Sequence, residues 1–115
     1  MMDPPTGDEL VEKLAALANP IRLRIVAELS GGRDYVSHLA RVIGVSRPLL
    51  HMHLQRLEEA GLIVGKLELS EDGKAMKYYE VADFDLHLSP STLAEAAGTL
   101  TPSDPESGPA HKEQP

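Results

Sequence analysis

The stretch "VSHLARVIGVSRPLLHMHLQRLEEAGLI", residues 36–63, decides the fold. It opens with a short apolar helix that ends at Gly44, the residue type that tolerates a left-handed turn. A longer helix of about four turns follows, with Ser46 as its N-cap. The leucines at 50, 54 and 57 form the buried stripe of this second helix, and Gly61 ends it. Two helices joined by so short a turn predict a helix-turn-helix motif.

Two further helices are predicted upstream of this motif. "GDELVEKLAALA" places Leu10, Leu14 and Leu17 on one helical stripe. "NPIRLRIVAELSGG" offers Asn19 as an N-cap and Pro20 as the first helical residue. The two segments therefore predict helices that meet at a sharp corner.

A β-hairpin and a last helix are predicted downstream. "IVGKLELS" and "AMKYYEV" are rich in β-prone residues and flank the turn sequence "EDGK". Tyr78 and Tyr79 alternate across the second strand, so we expect one on the core and the other facing DNA or a neighbour. Ser89 and Pro90 then begin the short helix "STLAEAA". The predicted fold class is mainly α with a β-hairpin, in the order ααααβ-βα.

Length and composition favour one small domain. The chain has 115 residues, and we assign residues 7–100 to the domain, residues 1–6 to a flexible start and residues 101–115 to a disordered, acidic, Pro-rich tail. Because there is no cysteine, a disulfide, a thiolate metal site and a thiol nucleophile are excluded. No Gly-rich phosphate loop, zinc-protease histidine pair or nucleophile elbow is present, so we do not expect an enzyme.

The net charge of −7 is unevenly distributed. Residues 20–80 hold nine Lys or Arg against eight Asp or Glu, so the acidic excess lies at the two ends. The central segment therefore leaves room for a basic face. No apolar run approaches the roughly 20 residues needed to cross a bilayer, and the acidic start is unlike a secretion signal. We expect a soluble cytoplasmic protein without a membrane partner. The candidates for the basic face are Arg41, Arg47, Arg56, Lys66, Lys74 and Lys77.

The quoted stretch, together with "LANPIRLRIVAEL" and "KYYEV", resembles the ArsR/SmtB family of winged-helix transcription regulators. The resemblance runs from about Leu17 to Val81. It implies a homodimer that binds a double-stranded DNA operator and whose affinity changes when an inducer, often a metal ion, binds. It also implies that the hairpin from Lys66 to Lys77 is the wing, which places Lys74 and Lys77 against phosphates.

The second helix of the motif is expected to enter the major groove. By position, the resemblance implies that six residues face the DNA, namely Ser46, Arg47, Pro48, His51, Met52 and Gln55. The chemistry of these residues agrees, because Arg47 can donate two hydrogen bonds to guanine, Gln55 can pair with adenine, and Ser46 at a helix N-terminus can hold a phosphate. The predicted DNA-binding residues are Ser46, Arg47, Pro48, His51, Met52, Gln55, Arg56, Lys66, Lys74 and Lys77.

The metal sites of the family transfer only in part. Where thiolate-sensing members carry cysteines, this chain reads "RDYVSHL", so that site is absent. The Asp-x-His half of a last-helix site is present, but its second half is missing near residues 98–101. A metal such as Ni or Zn would then use imidazole and carboxylate ligands. The expected ligands are Asp85 with His87 first, and Asp34 with His38 second.

Apolar stripes on the first and last helices predict a homodimer interface, since a domain this small leaves both without an obvious intramolecular cover. Because of the acidic net charge, a winged-helix protein-interaction module stays open as a second function. A regulator whose sensing is done by a separate partner protein also stays open. The predicted dimer residues are Leu10, Val11, Leu14, Leu17, Leu93, Ala96 and Ala97.

Overall fold

Five helices and a three-stranded antiparallel sheet follow one another in the computed structural model, which describes residues 3–102. The winged helix-turn-helix fold class predicted above is confirmed. The predictions for residues 1–2 and for the tail from residue 103 onward lie outside the described residues. The elements are α1 (Gly7–Leu17), α2 (Pro20–Leu29), β1 (Asp34–Tyr35), α3 (Val36–Ile43), α4 (Arg47–Glu59), β2 (Ile63–Leu69), β3 (Ala75–Val81) and α5 (Pro90–Ala97).

Local capping chemistry sets the helix boundaries where the sequence predicts them. The side chain of Asn19 accepts hydrogen bonds from the first backbone amides of α2, and Pro20 is the first residue of that helix. The hydroxyl of Ser46 accepts from the amide of Leu49 at 3.3 Å. Gly44 has φ 83°, the left-handed conformation that lets the chain leave α3 and enter the turn.

The core lies between α2, α3, α4 and the base of the hairpin. The three leucines of the predicted α4 stripe have no exposed surface. Each such side chain contributes about 1.5–3 kcal/mol when it leaves water. The fully buried side chains are Ile25, Leu29, Leu39, Leu50, Leu54, Leu57, Leu62 and Ile63. This core holds α4 by one face only, which leaves the opposite face of the helix exposed.

The sheet has the strand order β1-β3-β2, and its shortest strand was not predicted. β1 pairs with β3 so that Tyr35 lies opposite Tyr78. The Tyr35 and Tyr78 rings meet edge to face at 5.9 Å, and the Arg33 guanidinium covers the Tyr78 ring at 4.2 Å. Tyr78 and Tyr79 are therefore both buried, with 9% and 4% exposed surface. The prediction that one of them faces outward is wrong, because the side chains of Tyr35 and Arg33 cover Tyr78.

Helices α1 and α5 pack against each other within the chain. The backbone amide of Gly7 donates to the hydroxyl of Thr99 at 2.7 Å. Leu10 is buried and lines a cavity together with α5 residues. Leu17 is half-buried against the core. The expectation that both apolar stripes lack an intramolecular cover is therefore wrong for Leu10 and Leu17. Among the described residues, no helix is both long and apolar enough to cross a membrane.

Candidate nucleic-acid interface

The exposed face of α4 carries a stripe of mixed polar and apolar side chains. Pro48, Met52 and Gln55 recur at helical spacing, and His51 lies beside them. All four are exposed, whereas the leucines on the opposite face are buried. The helix therefore presents to solvent the side chains that the sequence predicted for the groove, and the core fixes its orientation.

The two arginines of α4 occupy different surroundings. Arg47, the first residue of the helix, is exposed beside the N-cap Ser46. Arg56 lies on the flank of the helix that faces α1, where it lines a small cavity together with Glu12 and Glu59. Arg47 is thus placed at the open N-terminal end of the helix, whereas Arg56 shares a small cavity with two acidic side chains.

Gln55 has an acidic neighbour on the same face. Its side-chain amide donates a hydrogen bond of 3.1 Å to the carboxylate of Glu59, one turn later. An amide nitrogen carries two N–H donors, so this bond leaves a second N–H and the carbonyl oxygen for pairing with a base. The exposed face of α4 is therefore less basic than its sequence suggests.

The three lysines of the wing are also unequal. Lys66 forms an ion pair of 2.7 Å with Glu80, and this partner raises the pKa of Lys66. Lys77 lies over the ring of Tyr79 at 5.4 Å. Lys74 is exposed at the end of the turn, where its backbone amide is fixed by the hydroxyl of Ser70. Lys74 is the best placed of the three to reach a phosphate, since it is exposed and lies at the tip of the hairpin.

The wing also exposes apolar side chains that the sequence analysis did not single out. Leu67 and Leu69 have 71% and 73% exposed surface, and Met76 has 41%. The alternation of "KLELS" places both leucines on one face of the hairpin, and in the register they lie opposite Lys77 and Ala75. That alternation was the signal that could have identified them.

His53 differs from His51, its neighbour on α4. Only 3% of His53 is exposed, and its ring faces α2, where Arg22 donates to it. Burial, followed by the charge of Arg22, lowers the pKa of His53. His53 is therefore a neutral packing residue that links α4 to α2, and only His51 lies on the exposed side.

The predicted metal ligands are not assembled into a site within one chain. Nδ1 of His38 lies 2.6 Å from the carboxylate of Asp34, so the two residues bind each other. Asp85 and His87 are exposed and line a cavity of about 700 Å³ beside α1 and α5. In the part of the chain that the structure describes, no group of three or more His, Asp or Glu side chains is arranged to hold a metal ion.

Sequence comparisons place these features in context. Residues 17–65 match a family model described as a helix-turn-helix domain. An uncharacterized HTH-type transcriptional regulator of Methanocaldococcus jannaschii is 32% identical over 80 residues, which are 70% of this chain and 83% of that protein. The HTH-type transcriptional repressor SmtB of Mycobacterium tuberculosis is 33% identical over 90 residues, and the HTH-type transcriptional regulator CmtR of Mycobacterium bovis is 35% identical over 85. These alignments cover 77% and 74% of this chain but only 63% and 62% of the two mycobacterial proteins. The chain therefore spans less than two thirds of the length of these two relatives.

Solved structures share the architecture. A possible transcriptional regulatory protein from Mycobacterium bovis superposes with a TM-score of 0.58 at 27% identity, over 78% of this chain and 85% of that one. A solution structure of a homodimeric winged helix-turn-helix domain from the same organism gives 0.56 at 24% identity, over 78% and 73% of the two chains. The second likeness supports the fold alone.

Proposed function

The chain belongs to the ArsR/SmtB family of winged helix-turn-helix transcriptional regulators, and from this premise we propose that it binds operator DNA as a homodimer. Its relatives regulate transcription, so the prediction of a regulator rather than an enzyme agrees with the family. The specific DNA-binding role of this chain, its dimer and its contacts are our proposals.

The exposed face of α4 is the observation that carries the proposal. Arg47 and Gln55 carry the donor groups that read guanine and adenine edges, and both are exposed on a helix whose other face is anchored in the core. Lys74 lies at the tip of the adjacent hairpin, where a phosphate of the same duplex can reach it. Base-reading and phosphate-binding groups therefore stand on neighbouring elements, as a winged helix requires.

We propose the exposed remainder of the α1 and α5 stripes as the dimer contact. Val11 and Leu93 keep 56% and 43% exposed surface, and Leu88 beside α5 keeps 52%. Ala97 is exposed on the same helix as Leu93. Apolar side chains that stay exposed on adjacent elements mark an interface between molecules, and a twofold dimer pairs the same surface of both copies.

Metal sensing is not part of this proposal. Within the described residues, Asp85 with His87 and Asp34 with His38 each supply two ligands, whereas Zn in proteins usually has three or four. Residues 3–102 of one chain do not offer a fitting donor set for Ni or Zn. We therefore assign no step of DNA binding to a metal ion.

A selection and titration experiment tests the proposed function. Duplexes enriched by the chain from a random-sequence pool would be titrated by fluorescence anisotropy at two salt concentrations, beside an unselected duplex. We expect specific binding that weakens steeply with salt, because phosphate contacts release counterions. If no duplex is enriched and no binding occurs at low salt, the operator-binding function fails and a protein-interaction module becomes the better reading.

A further inference from the structure

We propose that Glu68 is a positioning residue for DNA binding: held by Tyr35 and Arg33, it braces the wing against the segment that leads into α3. This inference rests on the proposed function and extends it to a residue that contacts no base or phosphate. Glu68 lies on β2, whereas Tyr35 and Arg33 come from the other side of the sheet, so the contact spans β3.

The contacts around Glu68 form a closed cluster. The hydroxyl of Tyr35 donates to one carboxylate oxygen of Glu68 at 2.6 Å, and the guanidinium of Arg33 lies 3.3 Å from the other. Arg33 also covers the ring of Tyr78, and Tyr35 packs edge to face against the same ring. The hydrogen bond from Tyr35 lowers the pKa of Glu68, so this carboxylate is charged at neutral pH.

The position of the cluster along the hairpin explains why a brace is needed. β1 pairs with β3 only at Tyr78 and Tyr79, so the backbone supports the outer edge of β3 near its base. Glu68 lies opposite Met76, two residues nearer the tip than Tyr78. A two-stranded ribbon in water is only marginally stable by itself. The side-chain cluster therefore extends support along the wing, toward the turn that carries Lys74.

The charge of Glu68 allows two roles of this residue to be distinguished: one that holds the wing in place, and one of an acidic side chain that is merely solvated at the surface. A carboxylate near phosphates repels them, so its removal alone should tighten binding to any duplex. Removal also frees the charge of Arg33, which acts in the same direction. If Glu68 instead holds the wing in place, its removal should weaken binding, because Lys74 loses its fixed position. The two roles predict effects of opposite sign.

The test uses Glu68→Ala, Tyr35→Phe and the double variant of the full chain, with Glu71→Ala as the matched control. Glu71 is an exposed acid of the same wing turn that forms no hydrogen bond or ion pair within residues 3–102. We expect each single variant to bind a selected duplex about three- to tenfold more weakly, the size of a typical lost hydrogen bond. The double variant should lose little more than either single one, while Glu71→Ala should bind as tightly as the parent or more tightly.

A second readout separates positioning from a general loss of stability. Lys74→Ala should lower the slope of log affinity against log salt by about one unit in the parent chain, but by clearly less in the Glu68→Ala background. Equal or tighter binding by Glu68→Ala, or full additivity with Tyr35→Phe, would overturn the brace while leaving the proposed function intact. If the parent itself enriches no duplex, the proposed function fails first and the DNA role of Glu68 falls with it.

Discussion

Nε of Arg22 donates a hydrogen bond of 3.1 Å to Nδ1 of His53, across the contact between α2 and α4. The same guanidinium donates to the backbone carbonyl of Ala16 at 3.3 Å, so one side chain joins α1, α2 and α4. Since Nδ1 accepts, the proton of the neutral imidazole is on Nε2. The helix that presents the candidate DNA-binding face is thus tied to the rest of the domain through a neutral, buried histidine.

This pair predicts that acid destabilises the fold. Burial of His53, and then the charge of Arg22, hold the pKa of the imidazole below its usual value. Above about pH 6.5 the imidazole is neutral in both the folded and the unfolded chain. Below that pH the unfolded chain takes up a proton at His53 that the folded chain refuses, so the free energy of unfolding falls. Urea denaturation between pH 8 and pH 5 would measure the decrease.

Substitution of each histidine of α4 would show which imidazole causes this pH dependence. His53→Asn keeps an acceptor oxygen near the position of Nδ1 but cannot titrate, so the variant should be less stable at pH 8 and lose less stability on acidification. His51→Asn is the matched control, since His51 is exposed on the same helix. It should leave the acid-induced decrease unchanged. An acid-induced decrease in His53→Asn as large as in the parent would assign the proton uptake to another group.

Gly7 predicts a second stability effect, at the contact between α1 and α5. A Cβ at this position would lie 2.2 Å from the carbonyl oxygen of Ala96 and 2.8 Å from side-chain carbons of Leu100. We expect Gly7→Ala to cost about 1–3 kcal/mol, as overpacking does, and to speed amide exchange in α5. Gly31→Ala is the control, because the nearest atom to its Cβ is an ordinary 3.6 Å away. Equal stability of Gly7→Ala and the parent would contradict the close approach of the two helices.

The two faces of α4 predict opposite responses to truncation. Leu54 is fully buried, whereas 47% of Met52 is exposed. Leu54→Ala should lower the free energy of unfolding by about 2–5 kcal/mol, measured by urea denaturation. Met52→Ala should change it by no more than about 0.5 kcal/mol. A large loss of stability in Met52→Ala would show that this side of the helix is packed rather than open.

Much of the fold could be predicted because local chemistry decides it. Asn19 and Ser46 cap helices with their own side chains, and Gly44 ends α3 in the left-handed conformation, so each boundary depends on residues within one turn. The leucine stripe of α4 follows from helical period alone. These features need no knowledge of distant parts of the chain.

The supporting contacts that escaped prediction depend on distant partners. The two residues of β1 carry too little pattern to be recognised as a strand before their pairing with β3 is known. The covering of Tyr78 by Arg33 joins segments far apart in sequence, and so does the hydrogen bond from Gly7 to Thr99. The hydrogen bond from Arg22 to the buried His53 joins α2 to α4, and helical period alone does not reveal it. The candidate site was therefore predicted better in its exposed residues than in its supports.

The residues proposed to read bases and those proposed to bind phosphates predict different losses on selected and unselected DNA. Arg47→Ala and Gln55→Ala should each lower affinity for a selected duplex by about 1–3 kcal/mol and relax base preference, because both side chains are exposed where a groove would meet α4. The amide of Gln55 has a second N–H besides the one that it donates to Glu59, so Glu59→Gln should not reproduce the loss caused by Gln55→Ala. Lys74→Ala should weaken every duplex alike and flatten the salt slope by about one unit. Fluorescence anisotropy with both duplexes measures these effects. If Arg47→Ala loses equal affinity for selected and unselected DNA, Arg47 contacts the phosphate backbone rather than the bases.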